Sequence, residues 1–317
     1  MKPLWLSLLA LFLLRAPASA APPLKDLLAA GRVDDAIQTL QQQVQHSSND
    51  AESYNLLCRA YFMLEDWDRG ISACERARDL DPHNSLYQLW LGRAYGEKAD
   101  HAGFLSAAVL AKKVRTAFER AVELDPQNWD ARADLAEFYL EAPGIVGGGE
   151  DKARAQADAI APLNPAMAHW IAARIAAKNH DMASAEREYR AAIAANQSLG
   201  RVWVDLAGLL FHNSRLDDVE RVLNNLESVQ VEQREALRDA ASVLLRAGRD
   251  FPLAVRLLRR YLSSPVEAGP AFKAHDLLGQ LLEKQGDRQA AAVEYRAALA
   301  LAHSYTRAQE DLKRVEP

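Results

Sequence analysis

The chain has 317 residues, 49% of them hydrophobic and 26% charged, with only 15 Gly and 13 Pro. Sparse Gly and Pro beside abundant Ala, Leu, Arg and Glu exclude a turn-rich β sandwich, a collagen and a disordered linker protein, and read as all-helical. With 38 basic and 43 acidic residues the formal net charge is −5, so nothing general draws the chain to nucleic acid or an anionic membrane, and only a local basic patch could.

The N-terminus comes first in chain order. Lys2 precedes the apolar run Leu4 to Leu14, and Ala18-Ser19-Ala20 follows. The run is too short to cross a bilayer as a helix, and small residues at 18 and 20 fit the A-x-A logic of a signal peptide cleaved after Ala20. An uncleaved anchor is the competing reading. Loss of Lys2 and Arg15 with the leader would take the net charge from −5 to −7, and no Cys follows the cleavage site to carry a lipid. The expected product is exported, periplasmic or secreted, with no membrane span. Residues 21–317 are then a single domain.

Downstream, a first short unit is marked by Leu27, Ala36 and Leu40, with Gly31 at its turn. Leu57, Cys58 and Tyr61 then recur 34 residues later as Leu91, Gly92 and Tyr95, and again as Leu135, Ala136 and Tyr139. A second set keeps the same beat: Cys74, Ala77 and Pro82 return as Phe118, Ala121 and Pro126. Each unit thus predicts a first helix carrying large, small and aromatic positions, a second helix packed closely on it, and an Asp-Pro or Asn-Pro that separates one hairpin from the next. Weaker units follow around Trp170 and Tyr189, then Trp203 and Leu223, then Ala241 and Tyr261, then Leu278 and Tyr295. Ser304 to Val315 is one more amphipathic helix, suited to cap the open end.

This pattern resembles the tetratricopeptide repeat family over most of the chain. The resemblance implies an all-α fold: a right-handed α-solenoid of about eight helix-turn-helix units with a C-terminal capping helix. It also implies a non-catalytic scaffold or adaptor that binds a protein or peptide partner. The family's usual surface is the concave groove, where one turn either side of the packed residues places Asn55, Arg59, Phe62, Leu89, Arg93, Ala133 and Glu137. Asn55 and Arg59 stand where chaperone-binding members carry Lys and Asn, which speaks against capture of a C-terminal carboxylate.

Two insertions break the beat, near 96–113 and 140–152, both between the helices of a hairpin. Loops there would emerge on one edge and be neighbours. The first contributes His101, Phe104 and the cluster Lys112, Lys113 and Arg115 beside an apolar stretch, read either as a helix end packed on the solenoid or as a docking patch. The second, APGIVGGG, contributes Gly144, Gly147, Gly148 and Gly149. It has P-loop spacing, but Glu150 replaces the lysine and a helix precedes it, so no nucleotide site follows. It reads as a turn into the next helix. The alternative is a cell-envelope protein holding a ligand or peptide on this loop's N–H groups, for example beside a transporter.

Export makes Cys58 and Cys74 worth weighing. On successive antiparallel helices they could face each other as a disulfide, or remain two small buried thiols. The eight His residues stand singly, with no HExxH or CxxC grouping, so no enzyme, metal or cofactor is expected.

Overall fold

A computed structural model of the chain describes residues 24–263 and 270–316. The leader read at residues 1–20 lies outside them. Among the described residues there are seventeen α-helices and no strand. Eight hairpins follow in order: α1 (Leu24–Ala29) with α2 (Val33–His46), α3 (Ala51–Met63) with α4 (Trp67–Leu80), α5 (Ser85–Asp100) with α6 (Phe104–Leu124), and α7 (Trp129–Glu141) with α8 (Glu150–Ile160). The second half continues with α9 (Pro165–Lys178) and α10 (Met182–Ala195), α11 (Gly200–His212) and α12 (Leu216–Glu227), α13 (Glu235–Ala247) and α14 (Phe251–Leu262), and α15 (Ala271–Lys284) and α16 (Arg288–Leu301). The last helix, α17 (Thr306–Val315), lies against α16. The chain is an all-α helical-repeat solenoid. None of its described helices is long and apolar enough to cross a membrane.

Local chemistry explains the helix starts. Asp50, Asp66, Asn84, Asn128, Asn164, Asp181, Asp250 and Asp287 each accept a bond from a backbone N–H of the following turn, satisfying a donor that the helix itself cannot. Close packing within hairpins follows the small-residue rule: a Cβ added to Gly92 would lie 2.4 Å from the Phe118 ring, and one on Gly279 would lie 2.5 Å from the Tyr295 ring. The α3–α4 hairpin uses the same two positions differently. Cys58 and Cys74 occupy them and form a disulfide, with their Cα atoms 5.1 Å apart.

Of the two insertions, only one is a loop. The first is absorbed as helix: α5 and α6 run on to Asp100 and Phe104, leaving the three-residue turn 101–103. Its residues are mostly helix formers, which extend a hairpin at little cost. The second forms a short 3-10 turn, Gly144–Val146, before α8.

The stack of hairpins curves until its ends meet. The Gly31 turn abuts the start of α15, where a Cβ on Gly31 would be 2.5 Å from that of Ala271. Asp34 accepts a bond from the His303 backbone N–H at 2.7 Å and another from its ring, while Glu65 pairs with Lys273. The concave face is thereby gathered into a central chamber.

Candidate functional site

The chamber has a volume of about 1060 Å³, at the upper end of ordinary ligand pockets. Eight carboxylates and two guanidiniums line it. Helix α5 contributes Glu97 and Asp100, and α13, which packs mainly on α14 and α11, contributes Glu235 and Asp239. Helix α7 contributes four: Asp130, Asp134, Glu137 and Glu141, spaced four, three and four apart so that all project from one face.

Part of this charge is balanced within the wall. Arg93 Nε donates to Asp134 at 2.6 Å, Arg174 donates to Glu137 at 2.8 Å, and Arg238 pairs with Asp239 at 2.7 Å. Asp130 has no such direct partner among the described residues. Burial pushes its carboxyl up, against the pull of Arg93 and with the push of Asp134. Glu97 is raised by burial and then by Asp100, and Glu137 is raised by burial despite Arg174. These acids hold their charge reluctantly because too little cation reaches them.

Aromatic rings lie among the charges. Trp90 is stacked between Arg59, 5.1 Å from its centroid, and Arg93, at 5.0 Å, and Phe62 meets its edge at 5.6 Å. Trp170 repeats the arrangement between Arg201 and Arg174, at 5.1 and 5.9 Å, and its Nε1 donates to Asp205 at 2.6 Å. The wall therefore already holds guanidiniums over indole faces beside carboxylates.

Of the residues expected in the groove, Phe62, Arg93 and Glu137 line the chamber and Arg59 covers Trp90. Asn55 and Leu89 do not. Both are buried, as is Ala133 at the same repeat position, because that position turns toward the adjacent hairpin. The residues after Leu89 and Ala133, Trp90 and Asp134, line the groove, whereas Leu56, after Asn55, is buried. The sequence reading missed Trp90 and the α7 acids other than Glu137, although their four-three-four spacing was a legible signal.

On the insert edge, the two segments are neighbours: Arg115 Nη1 reaches the Val146 carbonyl at 3.4 Å. His101 stacks on Trp67 at 5.9 Å, and Lys113 Nζ lies 4.9 Å from the centre of the Tyr95 ring. Lys112 is exposed, and of the apolar stretch Phe104, Leu105 and Val109 are exposed while Leu110 packs against the core of the solenoid. In the glycine loop, four consecutive N–H groups are used internally: those of Val146 and Gly148 bond the Pro143 carbonyl, that of Gly147 bonds Gly144, and that of Gly149 bonds Tyr139. A Cβ on Gly148 would lie 1.7 Å from the Ala142 oxygen, and Gly147 has φ +105°, so both glycines are required by the turn itself. Beside Gly144 there is open space.

No group of three or more His, Cys, Asp or Glu among the described residues is arranged to hold a metal ion. Residues 27–93 match the family model described as tetratricopeptide repeat. Yeast Tom70 shares 15% identity over 90% of this chain and 58% of its own, with a TM-score of 0.53. A thermophilic tetratricopeptide protein of Thermus thermophilus shares 18% over 58% of this chain and 94% of its own, with a TM-score of 0.48. The matched chain of the Cut9–Hcn1 hetero-tetramer of the APC/C shares 15% over 92% of this chain, at a TM-score of 0.41. The present chain spans 54% of that chain's length. No curated protein matches. At such identities the likeness to solved structures is one of fold alone, an all-α helical-repeat solenoid. Residues 27–93 are similar to tetratricopeptide repeats, and the hairpins that follow them continue the same helical-repeat fold.

Proposed function

We propose that the protein is an exported, non-catalytic scaffold that holds a cationic, extended segment of a partner protein in its central chamber. The observation that carries this reading is the lining of eight carboxylates against two guanidiniums, set among indole and phenyl rings. A lysine or arginine side chain entering there meets both a carboxylate and a π face. It would also offset the burial that raises the carboxyls of Glu97 and Asp130. Export is supported by the leader pattern and by the Cys58–Cys74 disulfide, which suits an oxidising compartment. The glycine loop, with its N–H groups committed, offers no comparable site.

The experiment is site-specific photo-crosslinking in the cells that make the protein, with the crosslinker at Phe62 in the chamber or at Val293, which is exposed on α16. A partner captured from position 62 alone, and crosslinked there through a Lys/Arg-rich segment, is the expected result. Capture from position 293 alone contradicts the reading.

A further inference from the structure

The first half of α6 adds little to the core of the solenoid, where Leu110 is its only large apolar side chain packed. Helix α6 buries Val114, Ala117, Phe118 and Ala121, all in its second half, so its first ten residues add no buried side chain. From Arg115, the anchor on Val146, the helix runs on for about 16 Å to Phe104, at 1.5 Å per residue. At this tip Phe104 is 86% exposed, Leu105 80% and Val109 61%. Ile145, on the same edge in the next hairpin, is 90% exposed. Large apolar side chains exposed together at one end of a hairpin mark a contact surface.

The charge around the tip says what kind of surface it meets. No acid stands between His101 and Phe118, and the acid beside the turn is Asp100, exposed at the end of α5. The same stretch holds Lys112, Lys113 and Arg115. At 100° per residue Lys112 shares the face of Phe104, Leu105 and Val109, and it stands about 12 Å behind Phe104 along the helix. An apolar tip with cations set back by that distance matches the depth of a bilayer interface, where apolar side chains enter the acyl boundary about 5–10 Å deep and lysines meet headgroup phosphates.

We propose that the α5–α6 arm docks the protein on an anionic lipid surface, with Phe104, Leu105 and Val109 entering the interface and Lys112 and Lys113 contacting phosphates.

The test is co-sedimentation of protein beginning at Ala21, so that the apolar leader takes no part, with vesicles of phosphatidylcholine alone or mixed with phosphatidylglycerol. The wild type is expected to sediment with the anionic vesicles. Phe104→Asp with Leu105→Asp should weaken this by about tenfold or more. Lys112→Glu with Lys113→Glu should remove the preference for phosphatidylglycerol. All four side chains are exposed, so melting temperatures should not change. The proposal is overturned if the wild type ignores both vesicles, if the variants sediment as it does, or if the tip captures a soluble protein while vesicles are ignored.

Discussion

Asp276 is only 2% exposed where α15 meets α17. Its Oδ2 accepts from Gln280 Nε2 at 2.9 Å, and its Oδ1 has no hydrogen-bond partner. Burial first, and then the neighbouring Asp311, push its carboxyl up to about 6, while Arg307, Gln280 and Tyr305 pull the other way. A carboxyl raised on folding stabilises the fold fully below its ordinary pKa near 3.8, and that contribution is lost as pH rises through about 6. Asp276→Asn removes the buried charge, so at neutral pH it should stabilise the C-terminal cap by something on the order of 2 kcal/mol. Melting at acid and neutral pH is the check: the wild type should lose more stability than the variant as pH rises, and parallel curves would contradict the assignment. Residue-scale features divide sharply in how legible they were. Counting turns placed Arg93 and Glu137 where they line the chamber, whereas Asn55 and Leu89 are buried. A polar and an apolar residue share that repeat position, so residue type gave no sign of which way it faces.

The helix hairpin is the element on which everything else is built, and the one around Cys58 and Cys74 shows how its contact works. Where this unit carries two cysteines, the next carries Gly92 against Phe118 and the last carries Gly279 against Tyr295. The disulfide closes a short loop and should contribute roughly 3 kcal/mol. Reductant should therefore lower the melting temperature of the wild type. Cys58→Gly with Cys74→Phe, which copies the neighbouring contact, should fold and melt at one temperature with or without reductant. An unchanged wild type on reduction would show that the bond adds nothing. At this scale the sequence was most readable, because a 34-residue beat of large, small and aromatic positions has one structural meaning. The extra residues near 96–113 were legible as an insertion containing a helix end but not as an extension of both helices, although Ala, Leu and Lys dominate them and glycine stands only at Gly96 and Gly103. Their exposure was hidden, since an amphipathic stretch looks the same whether or not something covers its apolar face.

In the whole molecule, the curvature of the stack brings residues as distant as Asp34 and His303 together. No sequence period encodes that contact. It arises from the accumulated rotation between units, which no single repeat displays. The ion pairs at the seam are exposed and each contributes at most about 1 kcal/mol, so the close fit of the Gly31 turn on Ala271 sets the closure. Ala271→Trp should wedge the seam apart and raise the radius of gyration in X-ray scattering without unfolding the hairpins. An unchanged radius would mean that the closure does not depend on this contact.

Closure gathers the acids of α5, α7 and α13 into one chamber, and the proposed function requires that this chamber bind a cationic segment. Calorimetric titration of a Lys/Arg-rich peptide measures this most directly. The peptide should bind, weaken with added salt, and lose about tenfold or more in affinity on Asp130→Asn with Glu235→Gln, while its Asp/Glu-rich counterpart should not bind. Equal binding of the two peptides, or affinity unchanged by the double substitution, would contradict the assignment of the chamber as the site.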